Sequence, residues 1–195
     1  MVNYLAKNIV HFFIKRQIIS LSEKNSYIYG FQIIFINIIN WGVILFIMLI
    51  TQQILETLLY MTSVIWLRHH TGGYHAPTHI RCFIISIILY LLILSIIYFG
   101  SKNLAAPICL ILQAISLIIL FKFAPIEHKN NPVNKNLLNR HKYIGRIISL
   151  ALSLCAILLM SSFPNLYLSI SLGILQVSVF LIIEHINKQK EGKSL

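Results

Sequence analysis

Aspartate is absent from this sequence of 195 residues, and only five glutamates accompany its 16 lysines and arginines. The lack of aspartate excludes an aspartyl protease, whose chemistry needs two aspartates sharing one proton. Three further patterns are missing: the H-E-x-x-H of metalloproteases, the G-x-S-x-G of serine hydrolases and the G-x-x-x-x-G-K-[S/T] of phosphate-binding loops. Peptidases of these types and ATP-driven enzymes built on a phosphate loop are therefore not predicted.

Charged residues are also scarce. They make up 11% of the chain, whereas hydrophobic residues make up 57%, and soluble domains are nearer a quarter charged. This composition predicts an integral membrane protein, and the length predicts a single membrane domain over residues 1–195. The net charge of +11 is typical of lysines and arginines that face the cytoplasm. We therefore predict contact with membrane lipid and no nucleic-acid partner.

Long apolar runs predict the architecture, because a membrane-spanning helix needs about 20 mostly apolar residues. Such runs lie at 30–50, 82–100, 104–122, 144–163 and 165–183. A shorter segment at 52–67 carries Gln52, Gln53 and Glu56, which favours the interior of a bundle over contact with lipid. The prediction is an all-α fold, a polytopic membrane helical bundle with about six membrane helices, one of them short.

The first 20 residues carry a different pattern. Leu5, Ile9, Phe12 and Ile19 recur at helical spacing, with lysines and asparagine toward the other side. This pattern predicts an N-terminal amphipathic helix on the membrane surface. A helix packed on the protein is an equally good interpretation.

The cations predict the orientation of the chain in the membrane. Four precede residue 25, six lie in 122–146 and three in the C-terminal tail, whereas Lys102 stands alone between two apolar runs. Six crossings from a cytoplasmic N-terminus return the C-terminus to the cytoplasm. We therefore predict that both termini, the segment 68–81 and a large loop at 122–146 face the cytoplasm of a bacterial cell.

Four of the eight histidines and one of the three cysteines lie in RHHTGGYHAPTHIRCF, residues 68–83. The pair Gly72-Gly73 disfavours a helix, and Pro77 suits the start of a new one. We therefore expect a loop over Thr71–Ala76, a helix from about Pro77, and Cys82 in its second turn.

Three interpretations of this stretch are open on residue chemistry alone. Cys82 is a nucleophile served by a histidine, and both His75 and His79 are candidates, since His79 reaches it along one helix and His75 through a folded loop. Alternatively, the histidines and Cys82 bind zinc, although their spacing matches no common zinc pattern. In the third interpretation they are ordinary polar residues at a membrane interface.

Two motifs resemble the signatures of a known family, the accessory gene regulator B (AgrB) family of membrane cysteine endopeptidases. The first, R-x-x-x-x-G-x-H-x-x-x-x-x-x-C, is matched by Arg68, Gly73, His75 and Cys82. The second, A-P-x-[D/E]-x-x-N-x-P, is matched in full, and its members here are Ala124, Pro125, Glu127, Asn130 and Pro132. The order of the motifs, the length and the apolar runs agree with the family, so the resemblance covers nearly the whole chain.

The resemblance implies a function in quorum sensing. His75 and Cys82 would be the catalytic pair, with His79 secondary, and the substrate would be an AgrD-type precursor peptide with an acidic C-terminal tail. The enzyme would remove this tail through a thioester on Cys82, and an internal cysteine or serine of the precursor would close a thiolactone or lactone ring. The resemblance implies a homodimer, and it implies no metal or other cofactor.

Other residues are expected to support catalysis or bind substrate. Arg68 would stabilise an oxyanion or bind the acidic tail, with a lipid-facing arginine as the alternative. Gly73 would allow close approach of the substrate backbone. The second motif contributes Pro125 and Glu127, and Lys129 would attract the tail. Glu56 is a candidate as the single acidic residue predicted at membrane depth.

A small transporter or channel with a histidine-rich pore is the main alternative. It would need several buried polar groups or paired broken helices. Apart from Glu56, the apolar runs contain no clear buried charge, which disfavours it.

Overall fold

A computed structural model describes residues 2–74, 78–100, 106–126 and 135–192. Three predicted site residues, His75, Glu127 and Lys129, lie outside these ranges. Within them the regular structure is helical throughout, which confirms the all-α prediction: α1 (Val2–Lys15), a 3-10 turn (Leu21–Glu23), α2 (Lys24–Thr51), α3 (Ile54–Thr71), α4 (His79–Gly100), α5 (Ala106–Phe123), α6 (Lys135–Leu159) and α7 (Pro164–Gly192).

Four of the described helices are long and apolar enough to cross a membrane: α2, α4, α6 and α7. The apolar part of α5, Pro107–Phe123, is shorter than these. Many leucine, isoleucine and phenylalanine side chains on these helices point outward, which is the arrangement that lipid requires. The helices therefore fit a membrane protein, as the composition predicts.

The start of α6 differs from the prediction. Residues from Lys135 onward are helical, so Arg140, Lys142 and Arg146 lie on a helix and not in the loop predicted over 122–146. The hydropathy pattern reports only the apolar second half of this helix, because its first turns are rich in basic and amide side chains. Helix α3 likewise continues to Thr71, four residues beyond the predicted segment 52–67.

The described chain forms two compact units. In the first, α1 packs on α2 and buries Ala6 and Val10. The Asn3 side chain accepts a hydrogen bond of 3.0 Å from Gln32. Leu5 and Phe12 on the predicted apolar face stay exposed. Helix α1 is thus packed on the protein through Ala6 and Val10, and Leu5 and Phe12 remain available to lipid.

In the second unit, α7 packs against α3, α5 and α6. A Cβ atom on Gly173 of α7 would lie 3.0 Å from the Cβ atom of Ser63 and 3.2 Å from the Tyr60 carbonyl oxygen. Small residues allow this approach where apolar solvent gives helices no hydrophobic reason to associate. Buried amides and hydroxyls link the other helices, since Gln113 of α5 donates to the Ser153 carbonyl oxygen of α6 at 3.1 Å.

Pairs of contacts fix the directions of these helices. Gly173 lies at Ser63 and Phe180 lies at Arg68, so α3 and α7 run the same way. Helix α6 runs opposite to α5, because Gln113 contacts Ser153 whereas Phe121, later in α5, accepts a hydrogen bond of 3.0 Å from Arg146, earlier in α6. The C-terminal ends of α3 and α5 therefore meet the first half of α6 at one end of the unit.

Candidate active site

The first motif begins at the C-terminal end of α3. Arg68, His69 and His70 belong to the last turn of the helix, and the N–H of Gly72 closes it by donating to the Arg68 carbonyl oxygen at 3.0 Å. Gly72 has φ 72° and ψ −147°, a region that essentially only glycine occupies. The predicted loop after α3 is confirmed over its described residues, 72–74, and it starts one residue later than expected.

The second motif lies directly against this loop. The N–H of Ile126, the residue after Pro125, donates to the Thr71 carbonyl oxygen at 3.0 Å. A Cβ atom on Gly72 would lie 2.6 Å from the Ile126 carbonyl oxygen, closer than real side chains approach. The structure thus brings the first part of one motif against the first part of the other, through residues more than 50 positions apart in the sequence.

Helix α7 forms the other side of the loop. The Tyr74 N–H donates to the Phe180 carbonyl oxygen at 3.2 Å. A Cβ atom on Gly73, whose φ is 132°, would lie 3.5 Å from the Phe180 Cβ atom. In the structure, the segment that approaches Gly73 closely is therefore helix α7. A role toward substrate stays a prediction.

The Arg68 side chain also contacts this loop. Its Nη2 atom donates to the Tyr74 carbonyl oxygen at 2.6 Å. Its guanidinium carbon lies 5.3 Å from the centre of the Phe180 ring, within range of a cation–π interaction. Arg68 is therefore neither a simple lipid-facing arginine nor, in these contacts, directed at a substrate oxygen.

Cys82 lies at the start of α4, in the first compact unit. Helix α4 begins at His79, two residues after Pro77 in the sequence, as expected. Cys82 completes its first turn, whereas the second turn was predicted. Thr78 caps this helix, because its carbonyl oxygen accepts from the Cys82 N–H at 3.1 Å and its hydroxyl oxygen from the Arg81 N–H at 3.4 Å. Cys82 is a free, half-buried cysteine in this first turn.

Glu56 does not join this arrangement. It lies in the first turn of α3, twelve residues before Arg68, which corresponds to about 18 Å along the helix axis. At that end its carboxylate interacts favourably with the helix dipole. Glu56 therefore lies away from the described part of the first motif, and its supporting role stays a prediction.

A third group of residues, which we call the histidine cluster, consists of His69, His70 and His141. The Nδ1 atoms of His70 and His141 lie 3.1 Å apart in a hydrogen bond between α3 and α6, and the rings of His69 and His70 are 4.8 Å apart. The described residues contain no group of three or more histidine, cysteine or acidic side chains placed to hold a metal ion. Burial, and then the charges of His69 and His141, lower the pKa of His70.

This lowered pKa predicts a pH dependence of stability. The unfolded chain protonates His70 at a higher pH than the folded chain does, so stability is lost as pH falls below the ordinary histidine value. Between pH 7.5 and pH 5.5 we expect the thermal unfolding midpoint of the detergent-solubilised protein to fall by about 1–2 °C through this group. The His70→Gln variant should lose less over the same interval. An equal loss in both proteins would contradict the assignment.

Sequence patterns did not indicate three of the residues found here. Ile126 occupies the variable position of its motif, His141 lies far from the other histidines, and Phe180 is one of 11 phenylalanines in an apolar chain. None of them carries a local signal, because their roles depend on helices that meet only in the folded chain.

Comparisons with known proteins agree with the motifs. A family model described as "Accessory gene regulator B" matches residues 1–183. The "Accessory gene regulator protein B" of Staphylococcus aureus (strain Newman) is 32% identical over 154 residues, 78% of this chain and 78% of that protein. A "Putative AgrB-like protein" of Listeria monocytogenes (serotype 4a, strain HCC23) is 29% identical over 132 residues, 65% of this chain and 63% of that protein.

No solved structure matches the chain. The family model nevertheless covers both motifs, the glycine loop and α7 up to the turn after Phe180. With this coverage, and with a relative more than 30% identical over most of both chains, the chain belongs to the accessory gene regulator B family.

Proposed function

We propose that this protein is a membrane-embedded cysteine endopeptidase that processes an AgrD-type precursor peptide into a cyclic quorum-sensing signal. Family membership over residues 1–183 supports the proposal. The observation that carries it is the placement of Cys82, half-buried in the first turn of an apolar helix. A thiol in that position is accessible to a peptide, and a cysteine sulfur is a nucleophile able to form a thioester.

In the first chemical step, His75 accepts the proton of Cys82, and the sulfur attacks the carbonyl carbon of the peptide bond before the tail. The carbon–nitrogen bond breaks, and the leaving amine takes the proton back from His75. The tail departs with a free N-terminus. The rest of the precursor remains attached to Cys82 as a thioester.

In the second step, an internal cysteine thiol of the precursor attacks the same carbonyl carbon. His75 takes the proton of that thiol and returns it to the Cys82 sulfur, which leaves. One thioester replaces another, so ring closure needs no ATP. Water must be kept out while the thioester exists, and the apolar helix that carries Cys82 favours this exclusion.

Basic residues are suited to binding the acidic tail. Arg140 and Lys142 are exposed in the first turns of α6, and Lys129 and Glu127 belong to the segment before it. The described residues at this end of the second unit include the acidic residue Glu184 and the basic residues Arg68, Lys122, Arg140, Lys142 and Arg146. We assign the excess positive charge to attraction of the tail and of anionic lipid headgroups.

The protein would act in the bacterial cell membrane with several crossings and with both termini and the first motif in the cytoplasm. This orientation presents the motif to a precursor made inside the cell. We also propose that the protein works as a homodimer, in contact with membrane lipid and without a metal or other cofactor.

The proposal is tested by reconstituting the purified protein in vesicles with a synthetic precursor that has an amphipathic front, an internal cysteine and an acidic tail. Mass spectrometry should find the free tail together with a ring product one water lighter than the linear fragment. Hydroxylamine added during turnover should intercept the thioester as a hydroxamate. Transport of the intact peptide without cleavage would overturn the proposal and favour the transporter interpretation.

A further inference from the structure

The histidine cluster lies wholly within the second unit, where the end of α3 meets the first half of α6. The Nδ1 atoms of His70 and His141 are 3.1 Å apart. The ring of His69 lies 4.8 Å from that of His70 and 6.1 Å from that of His141. His69 is exposed and the other two side chains are half-buried, so protons from solvent can reach the cluster.

The hydrogen bond between His70 and His141 needs a lone pair on one of the two nitrogen atoms. A neutral imidazole has one N–H and one lone pair, whereas a protonated imidazole donates at both nitrogens. The pair therefore keeps its bond when it is neutral and when it carries one proton. A second proton leaves two N–H groups facing each other across 3.1 Å. The bond is then lost, and two positive charges repel each other.

The surroundings of the cluster oppose this second proton. The charged and titratable side chains that the packed helices bring to this end of the unit are mostly basic: Arg68 on α3, Lys122 on α5, Arg140, Lys142 and Arg146 on α6, and Glu184 and His185 on α7. Burial, and then the charges of His69 and His141, lower the pKa of His70. While the two helices are in contact, the second proton therefore binds only below the ordinary histidine range.

The histidine pair lies at a close contact between the two helices. A Cβ atom on Gly145 of α6 would lie 3.4 Å from the Thr71 Cγ2 atom and 3.6 Å from the His70 Cβ atom. On the α3 side, the contact involves the last turn of the helix, and helix ends open at a lower free energy than helix interiors do. Repulsion between His70 and His141 is therefore expected to separate the end of α3 from α6 before the rest of the unit is affected.

We infer that the histidine cluster is a pH-sensitive switch at the contact between α3 and α6, closed at neutral pH and opened when His70 and His141 both carry a proton. Opening releases the last turn of α3 from the first half of α6 and leaves α7 packed. The inference goes beyond the proposed function, and it does not depend on which residues are catalytic. In the open state the histidines bind protons at their ordinary pKa, so a fall in pH through that value favours opening.

Hydrogen–deuterium exchange of the full-length protein in lipid nanodiscs, followed by mass spectrometry at pH 7.5 and pH 5.0, tests this inference. Opening takes up at least one additional proton, so the open population rises up to about tenfold for each pH unit below the ordinary histidine pKa. After correction for the intrinsic effect of pH on exchange, peptides covering 66–73 and 137–146 should lose protection by about tenfold or more at pH 5.0. Peptides covering 166–178 of α7 should stay within about twofold.

Glutamine variants decide whether the histidine pair is responsible. The double variant His70→Gln/His141→Gln has no titrating ring in the pair, yet its amides can still donate and accept between the helices. In His70→Gln alone, a protonated His141 can still donate to the glutamine oxygen. Both variants should keep protection over 66–73 and 137–146 within about twofold between the two pH values.

His185→Gln is the matched control, because His185 lies on α7 at the same end of the unit, with its ring 4.7 Å from that of Phe123. It should show the same loss of protection as the parent. An equal loss in the parent and in both glutamine variants of the pair would overturn the switch, since other groups would then cause the response. The switch is also overturned if the parent keeps its protection at pH 5.0, or if 166–178 loses protection by the same factor as 66–73.

Discussion

Replacing Cys82 with alanine should abolish release of the precursor tail, with a loss of about 10⁴-fold or more in the cleavage rate. The methyl group cannot form the acyl bond, so neither the thioester nor the ring can arise. The measurement is quantification of the free tail by mass spectrometry after reconstitution with the synthetic precursor. The hydroxamate formed on hydroxylamine trapping should disappear in the same variant.

Cys155 provides the matched control for this experiment. It is a free cysteine with an exposed side chain in the apolar part of α6. Cys155→Ala removes the same sulfur atom from a membrane helix without touching either motif. It should cleave at the parent rate. Tail release by Cys82→Ala at a rate comparable to that of the control would show that another group is the nucleophile.

The second large effect is expected at Gly72. Alanine there places a Cβ atom 2.6 Å from the Ile126 carbonyl oxygen, and the φ and ψ angles of this residue cost a non-glycine residue about 1–3 kcal/mol. The loop or the Ile126 segment must move by several tenths of an ångström or more. A displacement approaching 1 Å near catalytic groups costs on the order of 100-fold in rate. We therefore expect cleavage by Gly72→Ala to fall about 100-fold.

Alanine substitutions at Gly42 and Gly73 are the comparisons for this prediction. A Cβ atom on Gly42 of α2 would meet nothing within 4 Å, so Gly42→Ala should keep full activity and gain up to about 1 kcal/mol of helix stability. For Gly73→Ala the nearest atom is 3.5 Å away, so only its positive φ opposes the substitution. The expected order of activity is Gly42→Ala, then Gly73→Ala, then Gly72→Ala, measured as tail release per milligram of folded protein. Full activity of Gly72→Ala would show that contact with Ile126 does not matter.

Much of the fold follows from composition and periodicity. Lipid forces every backbone polar group in a span to be satisfied within the segment, so long apolar runs become helices whatever their neighbours are. The helices at 30–50, 82–100 and 165–183 are confirmed for this reason. Helix boundaries that depend on capping groups are harder to predict. The start of α4 shifted to His79 because Thr78 supplies the cap.

Amphipathic segments were predicted less well. The first half of α6 has a polar face of lysine, arginine and histidine, and hydropathy cannot distinguish such a helix from a basic loop. The same difficulty applies to the end of α3, where Arg68 and two histidines continue the helix to Thr71. In both cases contacts with other helices stabilise the helical conformation. His70 of α3 is hydrogen-bonded to His141 of α6, and Arg146 of α6 donates a hydrogen bond to the Phe121 carbonyl oxygen at the end of α5.

The sequence by itself determined that this is an all-helical membrane protein of the accessory gene regulator B family, because apolar runs and two spaced motifs are local properties of the chain. It also determined where the glycine loop lies, since glycine alone tolerates the backbone angles found there. Only the tertiary structure decided that Ile126 and Phe180 hold that loop from two sides, that Arg68 supports Tyr74, and that Glu56 stands apart. The contacts of Ile126 and Phe180 with the loop join residues more than 50 positions apart, so they depend on the packing of segments that local sequence patterns do not report.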